Sequence, residues 1–149
     1  MHRPKTFLHP LEAGKKPKPL TDETIKDMAM RLMRYLSDRD LFYDAILYYH
    51  CDGQWVSCHS NVFGNTSDLV HKTETVNGRT YEWWERQDDE PSRYFEWNGD
   101  ILSMSFEGPL YHALNTHYTE NEYLRNFFSH YGLHFELGNA WNFTLYSNF

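Results

Sequence analysis

Residues 47–59 read Leu-Tyr-Tyr-His-Cys-Asp-Gly-Gln-Trp-Val-Ser-Cys-His, two strand-like runs flanking Asp52-Gly53. An Asp-Gly pair readily takes the two positive-φ positions of a type I′ turn, so the stretch predicts a two-residue β-hairpin. Such a turn fixes register: Cys58 falls opposite Leu47 and His59 opposite Ile46. Alternation then gathers Leu47, Tyr49, Cys51, Val56 and Cys58 on one face, which is the core face.

The same signal recurs twice downstream. Asn77-Gly78 joins HKTETV (71–76) to RTYEWW (79–84), and Asn98-Gly99 joins RYFEW (93–97) to DILSMSF (100–106). Hairpins in succession predict an antiparallel meander. In the last of them Phe95, Trp97, Leu102, Met104 and Phe106 share the inner face, and Ile101 falls outside with Ser103 and Ser105. The acidic run Asp88, Asp89, Glu90, Pro91 reads as a linker between two hairpins. Near the carboxyl end, a three-residue loop at Gly138, Asn139 and Ala140 places Leu133, Phe135, Leu137, Trp141, Phe143 and Leu145 on one face. A two-residue loop would scatter them over both.

Two helices frame these strands. Thr21 is an N-cap with Asp22 and Glu23 in the first turn, where the helix dipole favours anions. Ile25, Met28, Ala29, Leu32, Met33 and Leu36 then recur at three and four spacing, a single apolar stripe. Thr119 and Glu122 form a capping box for a second helix whose apolar face is Tyr123, Leu124, Phe127, Phe128 and Tyr131, with Gly132 at its end. The class is therefore α+β: an antiparallel sheet of consecutive hairpins, about six to eight strands, packed by an N-terminal helix and a second helix before a C-terminal hairpin.

The chain has 149 residues, the commonest size for one domain, and 17% of them are aromatic. Residues 1–20 stand apart as an extended basic arm, with Pro4, Pro10, Pro17 and Pro19 among Lys15, Lys16 and Lys18. The domain proper is 21–149, where nine basic residues face twenty acidic ones, a formal −11. So acidic a body repels phosphate backbones and leaves nucleic-acid contact to the arm alone. No apolar run is long enough to span a bilayer, the N-terminus lacks a signal-type apolar segment, and two cysteines are too few for a disulfide framework. These features predict a cytoplasmic, non-membrane protein.

His50-Cys51 and Cys58-His59 have the composition of a zinc site, but the hairpin register offsets the like pairs by four residues, about 13 Å along the strands. The same offset disfavours a Cys51–Cys58 disulfide. No metal and no cofactor is expected. No G-x-S-x-G elbow or glycine-rich phosphate loop is present. The nine histidines assign no catalytic dyad, because a general base needs a partner within hydrogen-bond reach.

Trp83-Trp84 places indoles on opposite faces of one strand, and an outward indole beside Tyr81 and Glu85 makes an aromatic patch rimmed by charge. Tyr81, Trp83, Trp84 and Glu85 are therefore candidate binding residues, joined by His112 and His117 from the histidine-rich C-terminal third. The sequence points to a non-catalytic intracellular interaction protein whose partner is a protein with a basic surface. The alternative is a small-ligand carrier or enzyme, with a Tyr-, Trp- and His-lined pocket between sheet and helices.

Overall fold

The computed structural model describes residues 20–62, 64, 68–94, 99–116 and 118–148. Residues 1–19 of the Pro/Lys arm lie outside them, as does His117. A seven-stranded antiparallel sheet carries three helices. The elements in chain order are α1 (Asp22–Asp38), β1 (Ala45–Cys51), β2 (Gln54–His59), β3 (Val70–Val76) and β4 (Arg79–Gln87). There follow β5 (Leu102–Phe106), α2 (Pro109–Thr116), α3 (Tyr118–Ser129), β6 (Leu133–Asn139) and β7 (Asn142–Ser147). A short 3-10 turn, Pro91–Arg93, lies between β4 and β5.

The N-cap expected of α1 is present: the Thr21 hydroxyl accepts from the Thr24 backbone N–H at 3.1 Å. Its apolar stripe, with Met30 added, is buried against the sheet. There it meets Leu47, Tyr49, Val56, Cys58, Trp83, Leu102, Met104 and Phe106. α3 adds Leu124, Phe127 and Phe128, and the Phe128 ring meets the rings of Phe135 and Phe143 at 5.9 and 5.8 Å between centroids. Full burial of each large apolar side chain contributes about 1.5–3 kcal/mol, so this single-sided layer holds the fold together. No helix among the described residues is long and apolar enough to cross a membrane.

The first two hairpins take the expected registers, with Cys58 opposite Leu47 and Val76 opposite Arg79. The strand order is β3-β4-β2-β1-β5-β7-β6, so β4 returns beside β2 instead of continuing a meander. Three further expectations are corrected. Among the described residues β5 does not pair with RYFEW: both its edges are taken, one by β1 and the other by β7. Pro91 starts a 3-10 turn just ahead of RYFEW, and 95–98, including Phe95 and Trp97, lie outside the described residues. The C-terminal turn spans two residues, Ala140 and Trp141, with a bulge between Leu137 and Asn139. Leu137 pairs with Phe143 as a result, and Leu137 and Trp141 are exposed.

The Thr119 capping box is the third correction. α3 begins at Tyr118, which places Thr119 inside its first turn, and α2 precedes it as an additional helix. Gly132 does close α3, at φ 74°, donating its N–H to the Ser129 carbonyl.

Candidate functional site

Helices cover one face of the sheet; the other carries two polar rows that run across the strands. Register aligns Arg86, Ser57, Tyr48, Ser103 and Thr144 as the first row. Trp84, His59, Ile46, Ser105 and Asn142 form the second. Outward positions of an antiparallel sheet usually meet water. Ser57, Tyr48, Ser103 and Thr144 are instead at most 4% exposed.

What covers the first row is the segment after β4. Asp88 takes φ 54°, a left-handed conformation that Asp tolerates better than most residues. The chain then folds back over the sheet, and the Asp89 N–H donates to the Trp55 carbonyl at 3.1 Å. The Asp89 carboxylate accepts from Ser57 Oγ at 2.7 Å and from the Tyr94 hydroxyl at 2.7 Å. Arg86 Nη1 adds a contact at 3.4 Å while its Nε lies 2.8 Å from Asp68. Burial pushes the Asp89 carboxyl upward, but the donors His59, Ser57 and Tyr94, with the Arg86 charge, more than offset that and hold it well below the usual carboxylate range. Tyr94 stacks on Tyr48 at 6.0 Å, and burial pushes the Tyr48 phenol up.

Ser57, His59 and Asp89 have the composition of a catalytic triad with different wiring. His59 Nε2 lies 2.9 Å from Ser57 Oγ, and Ser57 gives its one proton to Asp89. Asp89 lies 3.9 Å from the same His59 Nε2 rather than orienting the opposite ring nitrogen. A triad needs the carboxylate on Nδ1 and an accessible hydroxyl, whereas Ser57 is fully buried. This cluster anchors the covering segment.

Beyond that anchor the second row forms the floor of a cavity of about 400 Å³. Its floor is Ile46, His59 and Ser105, and Tyr48, Tyr94 and Arg86 form one wall. The opposite rim is Asp44, Asn61, Glu107 and Trp141, at the end of the sheet where β1 starts and β5 finishes. The rim is tied together locally. The Asp44 N–H donates to Asn61 Oδ1 at 2.9 Å, Asn61 Nδ2 returns a bond to Asp44 Oδ1 at 3.2 Å, and the Glu107 N–H donates to the Asp44 carbonyl at 3.0 Å. Two carboxylates thus flank an aromatic cavity, while the Arg86 charge is shared between Asp68 and Asp89.

Comparison with family models, curated proteins and solved structures finds no match.

The sequence-derived candidates lie elsewhere. Tyr81 is buried on the helix side and its hydroxyl donates to Asp38 at 2.8 Å. Trp83 belongs to the core, its indole N–H donating to Glu85 at 2.9 Å. Trp84 points to the opposite face, stacked on His71 at 4.8 Å. His112 is exposed on α2 beside Tyr111. Tyr81, Trp83 and Glu85 therefore share one face of β4, and neither Trp84 nor His112 joins them.

The four-residue zinc reading also fails to converge, with Cys51 opposite Gln54, Cys58 opposite Leu47 and both thiols free. Among the described residues Asp22, Cys51 and Asp52 bring donor atoms within 4.8 Å of one another. Burial, then the Asp52 and Asp22 carboxylates, raise the Cys51 thiol, which opposes the thiolate a metal would need. Asp89, Ser57, His59, Arg86 and Tyr94 escaped the sequence reading. Their one signal was the doubling of large residues at Tyr48-Tyr49 and Trp83-Trp84, which marks strands covered on both faces.

Proposed function

We propose that this chain is a non-catalytic binding protein of a reducing compartment, and that its helix-free cavity receives a cationic side chain from a partner with a basic surface. The observation that carries this reading is the pairing of Asp44 and Glu107 with the rings of Tyr48, Tyr94 and Trp141 around one cavity. An aromatic face attracts a cation through its quadrupole, and a carboxylate adds direct Coulomb attraction. The formal −11 of residues 21–149 supplies long-range steering toward a basic partner. Asp44 and Glu107 sit on the rim, where each keeps acceptor capacity for an incoming guanidinium or ammonium.

A second reading rests on size. A cavity of about 400 Å³ falls in the range of small-ligand pockets. It lies on the face away from the helices, while the space between sheet and helices holds the packed core.

The test is titration of the full chain with a short arginine-rich peptide, followed by backbone amide shifts. Saturable shifts at Asp44, Ile46, Ser105 and Glu107, weakened several-fold by Glu107→Gln or Trp141→Ala and by added salt, are the expected result. Binding indifferent to both substitutions would remove the cavity from the account. A neutral metabolite retained in native mass spectrometry, with no peptide binding, would favour the second reading.

A further inference from the structure

We infer that the chain forms a two-fold homodimer by pairing β3 with β3 of a second copy. Among the described residues β3 is one edge of the sheet, and its ladder with β4 runs through seven consecutive pairs without a register shift. The other edge, β6, carries a bulge, a feature that blunts edge pairing. β3 has no such defect, and Val70 at its start is 57% exposed.

The hairpin geometry specifies which backbone groups of β3 are open. Val76 and Arg79 close a two-residue turn and form a hydrogen-bonded pair. Alternation makes Thr75–Thr80, Thr73–Glu82 and His71–Trp84 the closer, non-hydrogen-bonded pairs. The Thr75 and Thr80 hydroxyls at 2.9 Å and the His71–Trp84 stack fit that assignment. The N–H and C=O groups of His71, Thr73 and Thr75 therefore point away from β4.

Those three residues are the ones a symmetric antiparallel partner would use. With Thr73 opposite Thr73 of the second copy, His71 and Thr75 exchange bonds with their counterparts, and every outward group of the strand is satisfied. The sequence Val70-His71-Lys72-Thr73-Glu74-Thr75-Val76 is self-complementary about that centre. Lys72 faces Glu74 of the second copy, Glu74 faces its Lys72, and Val70 faces its Val76. The lysine–glutamate contacts occur twice by symmetry, at non-hydrogen-bonded positions where side chains approach most closely. Arg34, 2.7 Å from Glu74 on the same face, places a second cation at each carboxylate.

A seam of one strand pair is small, so the dimer forms in the micromolar range. A two-fold axis normal to the sheet leaves both helix-free faces on the same side, presenting two cavities to one partner. That consequence rests on the cavity reading above; the dimer does not.

The experiment is sedimentation equilibrium of the full chain up to about 100 µM. The expected mass is twice 17.9 kDa. Lys72→Glu and Glu74→Lys each set like charges across both contacts and weaken association by roughly tenfold or more. An equimolar mixture of the two variants restores association, because the two acids of one chain then face the two lysines of the other. Far-UV circular dichroism verifies that both variants are folded. A wild-type monomer throughout the range, a Lys72→Glu dimer as tight as wild type, or a mixture no tighter than either variant alone overturns the inference.

Discussion

Asp89→Ala is the most informative single change in this fold. The carboxylate it removes is 1% exposed and takes two 2.7 Å hydrogen bonds, from Ser57 and Tyr94, with Arg86 at 3.4 Å. Each hydrogen bond to a charged acceptor is worth about 1.5–3 kcal/mol, and removing one member of a buried charged set costs about 3–5 kcal/mol. Arg86 keeps Asp68 and is partly exposed, which takes the figure from the top of that range to about 3–4 kcal/mol. With a urea slope near 2 kcal/mol per molar, the unfolding midpoint falls by roughly 1.5–2 M. Trp55, packed with Tyr48 under the same segment, is one of five tryptophans through which fluorescence follows the unfolding. The pH dependence is specific too. A carboxyl held below its unfolded value of about 3.9 contributes fully above that pH and loses its contribution as pH falls through the folded value. The gap between wild type and Asp89→Asn is therefore constant near neutrality and closes below about pH 4. A midpoint shift under about 0.5 M, or a gap that widens in acid, would refute the account of Asp89 as the anchor.

Two further changes probe the rim and the core. A Cβ on Gly108 would lie 2.6 Å from the Tyr43 carbonyl oxygen and 3.1 Å from Asp44 Cβ. Gly108→Ala should therefore cost about 1–3 kcal/mol and weaken peptide binding by displacing Asp44; a melting temperature equal to wild type would contradict the close approach. Cys58 is fully buried, and burial pushes its thiol well above the ordinary value. A thiol reagent should consume Cys51 in the folded protein and reach Cys58 only at the rate of opening, so two native-state thiols reacting at one rate would count against the core assignment.

The parts of the fold that could be read from sequence are those set by local geometry. Asp52-Gly53 and Asn77-Gly78 fix register because a two-residue turn leaves no freedom, and Cys58 stands opposite Leu47 as that turn demands. The C-terminal hairpin shows the limit. The apolar pattern correctly assigns Leu133, Phe135, Phe143 and Leu145 to one face. Moving the register by two residues preserves every face, so the pattern could not tell Leu137–Trp141 pairing from the observed Leu137–Phe143. β5 is a strand as its sequence predicts but marks a different limit: its neighbours β1 and β7 are remote in sequence, whereas the Asn98-Gly99 signal points only to the adjacent RYFEW. α2 did carry a mark, Pro109 at its first position, with Leu110, Ala113 and Leu114 at helical spacing. Asp89 carried none. An acidic residue in a run of acids and proline is indistinguishable from a solvated linker until the chain that follows β4 is folded back over Ser57.

That fold-back also explains why a cavity exists on a face that would otherwise be flat. A row of apolar residues under the segment would be at least as stabilising, since buried polar groups contribute only when every one is matched. Ser57, Asp89 and Tyr94 are matched to one another and Ser103 meets Thr144 at 3.0 Å, while Arg86 reaches Asp89 through Nη1 at 3.4 Å and its buried Nε is left without a hydrogen bond. Apolar contacts would let the segment slide; hydrogen bonds fix it over the first row. Fixed there, it raises Tyr94 as a wall and leaves the half-buried Ile46, His59 and Ser105 as the floor of the cavity. The position of the cavity is then a consequence of the Asp89 anchor, and stability and binding become coupled through one residue. Asp89→Ala should release the Tyr94 wall along with the stability, so its peptide affinity should fall although Asp89 itself does not line the cavity. Tyr94→Phe keeps the ring on Tyr48 but loses one of the two short bonds to Asp89, and belongs between that variant and wild type on both scales.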